Sequence, residues 1–509
     1  MDFQREENLT DFWLNYWTEA KKNSIAKQVN NPKFLSFFFK SFVISNNNLV
    51  IFNQTHGFGN FNKLTYTIFI DNFFKNIDLT NKNIIVLQNL KNPSFYYDLT
   101  CSKITQNKGF AYIAENKKRT SIIFLNTYIK RIRADYIIHA STEKDYTYIR
   151  IFENGKPIAK SILINTLNEY NKAQTVQAVI SDERFVHINQ NLIEEDYIEN
   201  SIKNLSGSFL YDEPLINIVI ERNNEHFDDT LKKLLKLSKY KILFTPSNGS
   251  NFLKKFINYI YIYWIKKPDI ILKLNNNFNQ ISLKLNIDDS YAKIDPNFLV
   301  ISYLDYYINE LKAEDMSYLF LDPSFNAYFD KLFLRFPKIK QVSNLDDSKL
   351  FLVKDFANIG IKQYKNDIVA FIFKYILYIN YLKNQNISMF FKWKNLTKLY
   401  GNYYELVKVF NIKFREIDKL LDSIKNNFSA YECEYIIEVQ NITSAFHDQL
   451  ILIRIPNENS TILIAYNFIF EKYEVYFTIN KDFKKDKSNY KKRIKKYVEV
   501  VQTSLEEAI

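Results

Sequence analysis

Runs of apolar and polar positions along the chain divide it into recognisable elements before any chemistry is read. The first ~30 residues predict a helix with Phe12, Trp13 and Trp17 on one face. Residues 49–53 form a short apolar strand, 54–60 a glycine-bearing loop and 62–76 a helix. Further strands are predicted at 83–88, 121–126 and 135–140. Strand–loop–helix–strand order at this spacing argues for βαβ units. Residues 146–152 and 158–164 flank Glu153-Asn154-Gly155-Lys156, and Asn-Gly between two alternating runs predicts a tight hairpin.

The mixed, polar stretch 165–210 marks a first boundary. A second α/β pattern follows, with strands at 215–221, 240–244, 269–274, 280–286 and 318–321 and a helix at 225–238. After residue 356 the texture changes. Helices are expected at 365–383 and 395–400, with residues 387–393 read as a short strand between them. A long amphipathic helix is expected over 404–427. Four strands (434–440, 450–455, 461–470, 473–479) and a final helix over 488–508 complete the chain. The reading is therefore α/β: two successive α/β units, then a helical plus antiparallel-sheet (α+β, winged-helix-like) carboxy-terminal domain. The expected domains are 1–170, 210–355 and 360–509, and no repeat of solenoid length is visible.

Composition narrows the classes. The chain carries 68 basic against 56 acidic residues, a net charge of +12. Such a surplus favours acidic partners, nucleic acid or an acidic protein surface, although interspersed charges also fit a solvated mixed surface. The two cysteines, Cys101 and Cys433, lie too far apart in sequence to suggest a disulfide framework and fit a reducing, cytoplasmic setting. The apolar stretches 256–265 and 367–382 fall short of the ~20 apolar residues that cross a bilayer, so no membrane insertion is expected.

Candidate chemistry is sparse. His56-Gly57-Phe58-Gly59 holds two of only eight glycines in the chain. Glycine permits close backbone approach, and the helix beyond would offer N–H groups to an anion. The loop 245–251, with Ser247 and Gly249, repeats the arrangement in the second unit. Together they suggest ligand loops flanking a nucleotide or nucleotide-sugar cleft, although neither matches a known phosphate-loop pattern and both also read as ordinary strand–helix turns. Of three Asp-Asp pairs (228–229, 288–289, 346–347), Asp288-Asp289, after a strand, is best placed to hold Mg²⁺. Neighbouring carboxylates on a strand point to opposite faces, however, and the five histidines show no ligand spacing; neither metal nor cofactor is predicted.

The exposed face expected for 404–427 offers Lys408, Arg415 and Lys419. The order helix, short helix ending at Gly401, long helix and two strands over 387–455 resembles the winged-helix half of plasmid replication initiators. That resemblance implies contacts to phosphates and base edges from those three residues. A helical hairpin packed on an antiparallel sheet fits the same pattern. Nine of the sixteen residues 481–496 are basic, and Lys491, Lys492, Arg493, Lys495 and Lys496 crowd the start of a helix, where the dipole disfavours them. The leading expectation is a non-enzymatic macromolecule-binding protein, with nucleic acid favoured. The alternatives are a structural subunit of a secretion or phage-like assembly, and a glycosyltransferase-like or nucleotide-binding enzyme with a cleft between the α/β units.

Overall fold

A computed structural model describes residues 41–45, 48–53, 59–90, 94–114, 124–143, 146–173, 185–203, 213–221, 225–244, 260–274, 281–287, 290–294, short stretches between 301 and 361, 368–430, 434–439, 447–468, 470–481 and 490–508. The chain divides into two compact units, Met1–Tyr197 and Ile198–Ile509.

The first unit is built on a mixed eight-stranded sheet. Its strands are β1 (Val43–Ile44), β2 (Leu49–Asn53), β3 (Asn83–Asn89), β4 (Phe110–Ala114), β5 (Tyr136–Glu143), β6 (Tyr146–Glu153), β7 (Lys156–Pro157) and β8 (Phe185–Ile188). They lie in the order β1-β2-β6-β5-β3-β4-β8, with β7 beside β6. β3, β4, β5 and β8 are parallel, and β6 is antiparallel to both β5 and β2. The expected Asn-Gly turn is present: Asn154 and Gly155 both take positive φ (49° and 79°), as the two central residues of a tight hairpin require.

Beyond that turn the expected strand 158–164 is replaced by a helix. Pro157 removes a ladder donor, and Ile158, Leu163, Thr166 and Tyr170 are buried at helical spacing. The helix expected over the first ~30 residues lies outside the described set. Among the described residues the helices here are α1 (Lys63–Lys75), α2 (Ser94–Gln106), α3 (Leu125–Ile132), α4 (Lys160–Lys172) and α5 (Gln190–Lys203), the last running past Tyr197. The strand expected at 121–126 is, from Leu125 on, the start of α3; residues 121–123 lie outside the described set. α1 is apolar almost all round and buried from Leu64 to Ile70, as a helix enclosed by a core must be. Its aromatic rings lock to the sheet edge-on, Phe69 lying 5.8 Å from Phe52 and 5.3 Å from Phe42.

The second unit repeats this plan. β9 (Asn217–Glu221), α6 (Glu225–Leu237), β10 (Lys241–Phe244), β11 (Ile270–Leu274), β12 (Ile281–Ile287) and β13 (Ser290–Ile294) give the strand order β10-β9-β11-β12-β13. β9, β10 and β11 are parallel, and β12 returns antiparallel. A third sheet, β14 (Tyr318–Leu321), β15 (Lys340–Gln341), β16 (Leu350–Leu352) and β17 (Ile359–Ile361), has the order β15-β14-β16-β17 with the same directions. The segment β4-β3-β5-β6 of the first sheet matches both. One four-strand pattern therefore occurs three times: a central strand, a parallel neighbour on one side, another on the other side, and an antiparallel return.

The match of the first two copies extends to hydrogen bonds. Asp135, just before β5, accepts from the backbone N of Asn83 at 2.9 Å and pairs with Lys82 at 3.2 Å. Asp269, just before β11, accepts from the backbone N of Asn217 at 2.8 Å and pairs with Lys383 at 2.7 Å. Each aspartate follows a residue in the left-handed region by two positions, Arg133 (φ 52°) and Lys267 (φ 41°). The aspartate backbones also match: Asp135 donates to Asn83 O and Asp269 to Asn217 O, both at 2.9 Å. These clamps close the amino edges of the sheets.

The carboxy-terminal part holds α7 (Ile368–Asn384), α8 (Met389–Tyr400), β18 (Tyr403–Phe410), α9 (Ile417–Ser429), β19 (Ile436–Val439), β20 (His447–Ile455), β21 (Ser460–Asn467), β22 (Lys472–Asn480) and α10 (Tyr490–Glu507). Its five strands form an antiparallel sheet ordered β18-β22-β21-β20-β19. The long helix expected over 404–427 is two elements, a strand to Phe410 and a helix from Ile417. The misreading has a plain cause: Leu406 and Phe410 are four apart, a spacing that shares one face of a strand as well as one face of a helix. The helix that the replication-initiator resemblance relies on is thus interrupted. The short strand read at 387–393 belongs to α8, capped by Ser388, whose Oγ accepts from the backbone N of Phe390 at 3.2 Å. The chain is an α/β protein with successive α/β units and a carboxy-terminal antiparallel-sheet domain. Among the described residues no helix is long and apolar enough to cross a membrane.

Candidate functional site

Parallel strands deliver their outgoing loops to one edge, and in open α/β sheets that carboxyl edge is where ligands bind. At this edge of the first sheet, Asn89 of β3 stands opposite Ser141 of β5, and Ser141 stands opposite Tyr148 of β6. Alternation along β5 sends Ile138 and Ala140 into the helical core, so His139 and Ser141 share the opposite face. Both are buried, at 3% and 7% exposure. The Arg150 guanidinium, opposite His139 in register, donates to Ser141 Oγ at 3.3 Å. It also lies over the Tyr148 ring, 6.0 Å from its centroid. Thr142 points the other way and bonds Thr147 across the hairpin at 3.3 Å.

This face therefore presents a hydroxyl nucleophile beside a forked cation. Guanidinium is the side chain best shaped to hold phosphate or carboxylate oxygens, and a serine hydroxyl can carry a transferred group. The residue types and their spacing had singled out neither Ser141 nor Arg150. The signal available was positional: polar His139, Ser141, Thr142 and Glu143 end an otherwise apolar parallel strand, where a buried strand has no packing use for them.

β2 is antiparallel to β6 and so runs the same way as β5, and its last residue, Asn53, stands at the edge that holds Ser141. His56 and Gly57 themselves lie outside the described residues. Gly59 is described and buried; its carbonyl accepts from Asn53 N at 2.8 Å, and Phe61 N donates to Asn53 O at 3.0 Å, closing the base of the loop. The helix beyond does not leave its first N–H groups open to an anion as expected. Asn62 Oδ1 accepts from Leu64 N (2.9 Å) and Thr65 N (3.1 Å), while Thr65 Oγ1 accepts from Asn62 N at 3.0 Å. This capping box engages the donors that the ligand reading required. In the second unit Ser247 and Gly249 lie outside the described residues.

The basic residues singled out for macromolecule binding separate into two groups. Lys408 is exposed on β18, an edge strand, and Lys419 is exposed on α9, 3.9 Å from Glu416. Lys491, Lys492, Lys495 and Lys496 form the solvated side of α10. Two others are structural. Arg415 donates through Nε to Leu505 O at 3.3 Å and through its backbone N to Tyr473 Oη at 3.0 Å. Arg493 is largely buried, bonded to Glu458 at 2.7 Å and to Asn480 O at 2.9 Å. α10 itself packs Ile494, Tyr497, Val500, Val501 and Leu505 into the core of the carboxy-terminal sheet.

A second buried polar cluster lies in that sheet. Glu474 bonds His447 Nε2 at 3.3 Å and accepts from Tyr476 Oη and Asn467 Nδ2, each at 3.0 Å. Burial pushes its carboxyl pKa up, but the bonds from His447 and Tyr476 and the nearby Lys472 outweigh that and hold it below the usual carboxylate range. Each carboxylate oxygen already has a partner, so this cluster reads as a structural tie.

Among solved structures the chain is similar to pp63/parafusin, a phosphoglucomutase from Paramecium, in its open form. The TM-score is 0.63 at 11% identity, covering 87% of this chain and 92% of that one. It is also similar to a protein from Thermus thermophilus assigned as a phosphomannomutase, with a TM-score of 0.56, 10% identity and coverage of 87% and 93%. No family model matches the chain, and no curated protein does. At these identities the likeness is one of fold, and it runs through nearly the whole chain. It corrects the expectation of a non-enzymatic nucleic-acid-binding protein, and that of an assembly subunit, because both neighbours are enzymes. The geometry agrees with the correction: the basic residues meant to converge on one binding surface include Arg415, tied to Leu505 O, and Arg493, largely buried against Glu458.

Proposed function

We propose that this chain is a phosphosugar enzyme of the phosphohexomutase type, binding a hexose phosphate at the carboxyl edge of its first sheet. The observation that carries the reading is the Ser141–Arg150 pair at that edge, in a chain whose fold follows a phosphoglucomutase over 87% of its length. In this reading Arg150 holds the phosphoryl oxygens and offsets the charge that builds on them during transfer. Ser141 Oγ attacks phosphorus. The Oγ–P bond forms as the bond from phosphorus to the sugar oxygen breaks, and that oxygen takes the proton which the serine gives up. Return of the phosphoryl group to a different hydroxyl of the same sugar completes a mutase cycle. The sequence-level alternative of a nucleotide-binding or sugar-transferring enzyme is the nearest of the earlier expectations to this one.

The test is to incubate the full chain with glucose and mannose phosphates, follow the phosphoryl position by phosphorus NMR, and read phosphoserine by intact mass. Movement of the group, lost in Ser141→Ala with the melting temperature retained, supports the reading. Neither transfer nor thermal stabilisation with any hexose phosphate would remove it.

A further inference from the structure

The strongest unassigned surface is a turn of π-helix, Tyr261–Lys266, that leads into β11. It is firmly seated. Ile262 is buried against Val219 and Ile271, the Tyr263 ring meets Tyr291 edge-on at 4.8 Å, and Lys267 N donates to Ile262 O at 3.1 Å. Above this base the apolar side chains face solvent: Trp264 is 74% exposed, Ile265 66%, Tyr261 41% and Ile260 38%. In a π-turn, bonds run between residues five apart, so positions four and five apart sit nearly over one another. That geometry gathers these four side chains onto one side. π-turns within helices occur frequently at functional sites.

Cations border the patch. Lys266 and Lys267 are exposed, with Lys266 Nζ 5.3 Å from the Tyr261 ring centroid. We propose that this turn is a docking surface for an anionic lipid bilayer, on which the protein sits peripherally. Two physical arguments favour lipid over a protein partner. Tryptophan, tyrosine and isoleucine with flanking lysines are the side chains that enter the headgroup region, the rings at the boundary and the ammonium groups against lipid phosphates. Protein–protein interfaces, by contrast, are depleted in lysine. The net charge of +12 adds a general attraction toward an anionic surface. This inference is independent of the phosphosugar reading and survives its failure.

The test is co-sedimentation of the full chain with phosphatidylcholine vesicles and with vesicles of phosphatidylcholine mixed with phosphatidylglycerol. Binding is expected to the mixed vesicles, weakening with salt. Trp264→Ser with Ile265→Ser is expected to weaken it at least about tenfold, since two exposed apolar side chains lose their burial. Lys266→Glu with Lys267→Glu should cost about fivefold per residue or more. All four side chains are solvent-exposed, so unchanged melting temperatures confirm that both variants are folded. Three results overturn the proposal: no binding to the mixed vesicles, equal binding by wild type and both variants, or a dimer in solution that Trp264→Ser abolishes, which would assign the patch to a second copy of the chain.

Discussion

β5 and β11 hold the same place in two copies of one strand pattern, each entered through an aspartate that clamps the neighbouring strand. The clamps agree closely: the paired lysine and aspartate side chains are 44% and 27% exposed in the first copy and 43% and 28% in the second. At their carboxyl ends the strands part company. β5 closes on His139-Ala140-Ser141-Thr142-Glu143, whereas β11 closes on Leu272-Lys273-Leu274, with no hydroxyl side chain, and is followed in sequence by Asn275, Asn276 and Asn277. The amino edge is determined by the frame that these two copies share. The carboxyl edge is free to differ, and there a nucleophile and a guanidinium occur together in the first copy.

The largest expected effect tests that assignment. Arg150→Gln removes the forked donor and keeps the polarity and approximate length of the side chain. Hexose-phosphate turnover by the full chain should fall about 10²–10³-fold, the loss typical when one donor to a developing oxyanion is removed. Its melting temperature should hold within a few degrees, because Ser141 is small and close to other polar groups. A fall in stability with turnover unchanged would make Arg150 a strut and break the contrast between the two edges.

The next effect tests the shared frame. Asp135→Ala and Asp269→Ala each delete a carboxylate that accepts a strand N–H and pairs a lysine. Hydrogen bonds to charged groups contribute about 1.5–3 kcal/mol, so each variant should lose a similar amount in urea or thermal unfolding. The second clamp recruits Lys383 from α7, a helix that also binds the entry to β9: Asn380 Oδ1 accepts from Leu215 N at 2.9 Å. Asp269→Ala should therefore loosen α7 in hydrogen exchange, an effect with no counterpart in Asp135→Ala. Losses that differ several-fold would mean that the clamps are alike in geometry only.

A smaller effect is specific to the second unit and appears in its pH dependence. Burial on α7 draws the Lys374 ammonium down to about 8. The native state then binds fewer protons than the unfolded chain between that value and the ordinary lysine value of about 10.4, so stability rises with pH across this window. Partial exposure discounts the gain to about 1–2 kcal/mol. Lys374→Met should flatten the profile between pH 8 and 10 and raise stability at neutral pH, both measurable by urea titration. An unchanged slope would show that the ammonium is solvated in the native state.

Much of this frame was legible in the sequence because β2, β3, β5, β9, β10 and β11 are built on short apolar runs, while β6 and β12 alternate apolar with polar positions. The repeat was not legible, since it resides in strand order, direction and two aspartates rather than in recurring residues. Ser141 and Arg150 were hidden for a related reason: they are nine positions apart on two strands and meet only through the hairpin register. The basic run over 481–496 was the most conspicuous feature of the sequence and misled about function. Density of charge is visible in a sequence; whether a cation is tied down inside the fold is not.

The smallest effect makes that last distinction quantitative on a single helix. Lys491 and Lys492 are exposed in the first turn of α10, where the positive end of the helix dipole opposes them. Their neighbour Arg493 is largely buried against Glu458. Reversing the two lysines, Lys491→Glu with Lys492→Glu, should turn two unfavourable dipole contacts favourable and stabilise the chain by about 0.3–1 kcal/mol per residue at low salt, fading as salt is added. Arg493→Ala changes one residue in the same turn and should act in the opposite sense. It strands a mostly buried carboxylate and costs several times more, toward the ~3 kcal/mol range seen when one partner of a buried pair is deleted. Opposite signs from adjacent cations, read in parallel denaturation curves, are the expected outcome. Destabilisation by the lysine reversals, persisting at high salt, would mean that these side chains hold the fold and that α10 has no free charged face.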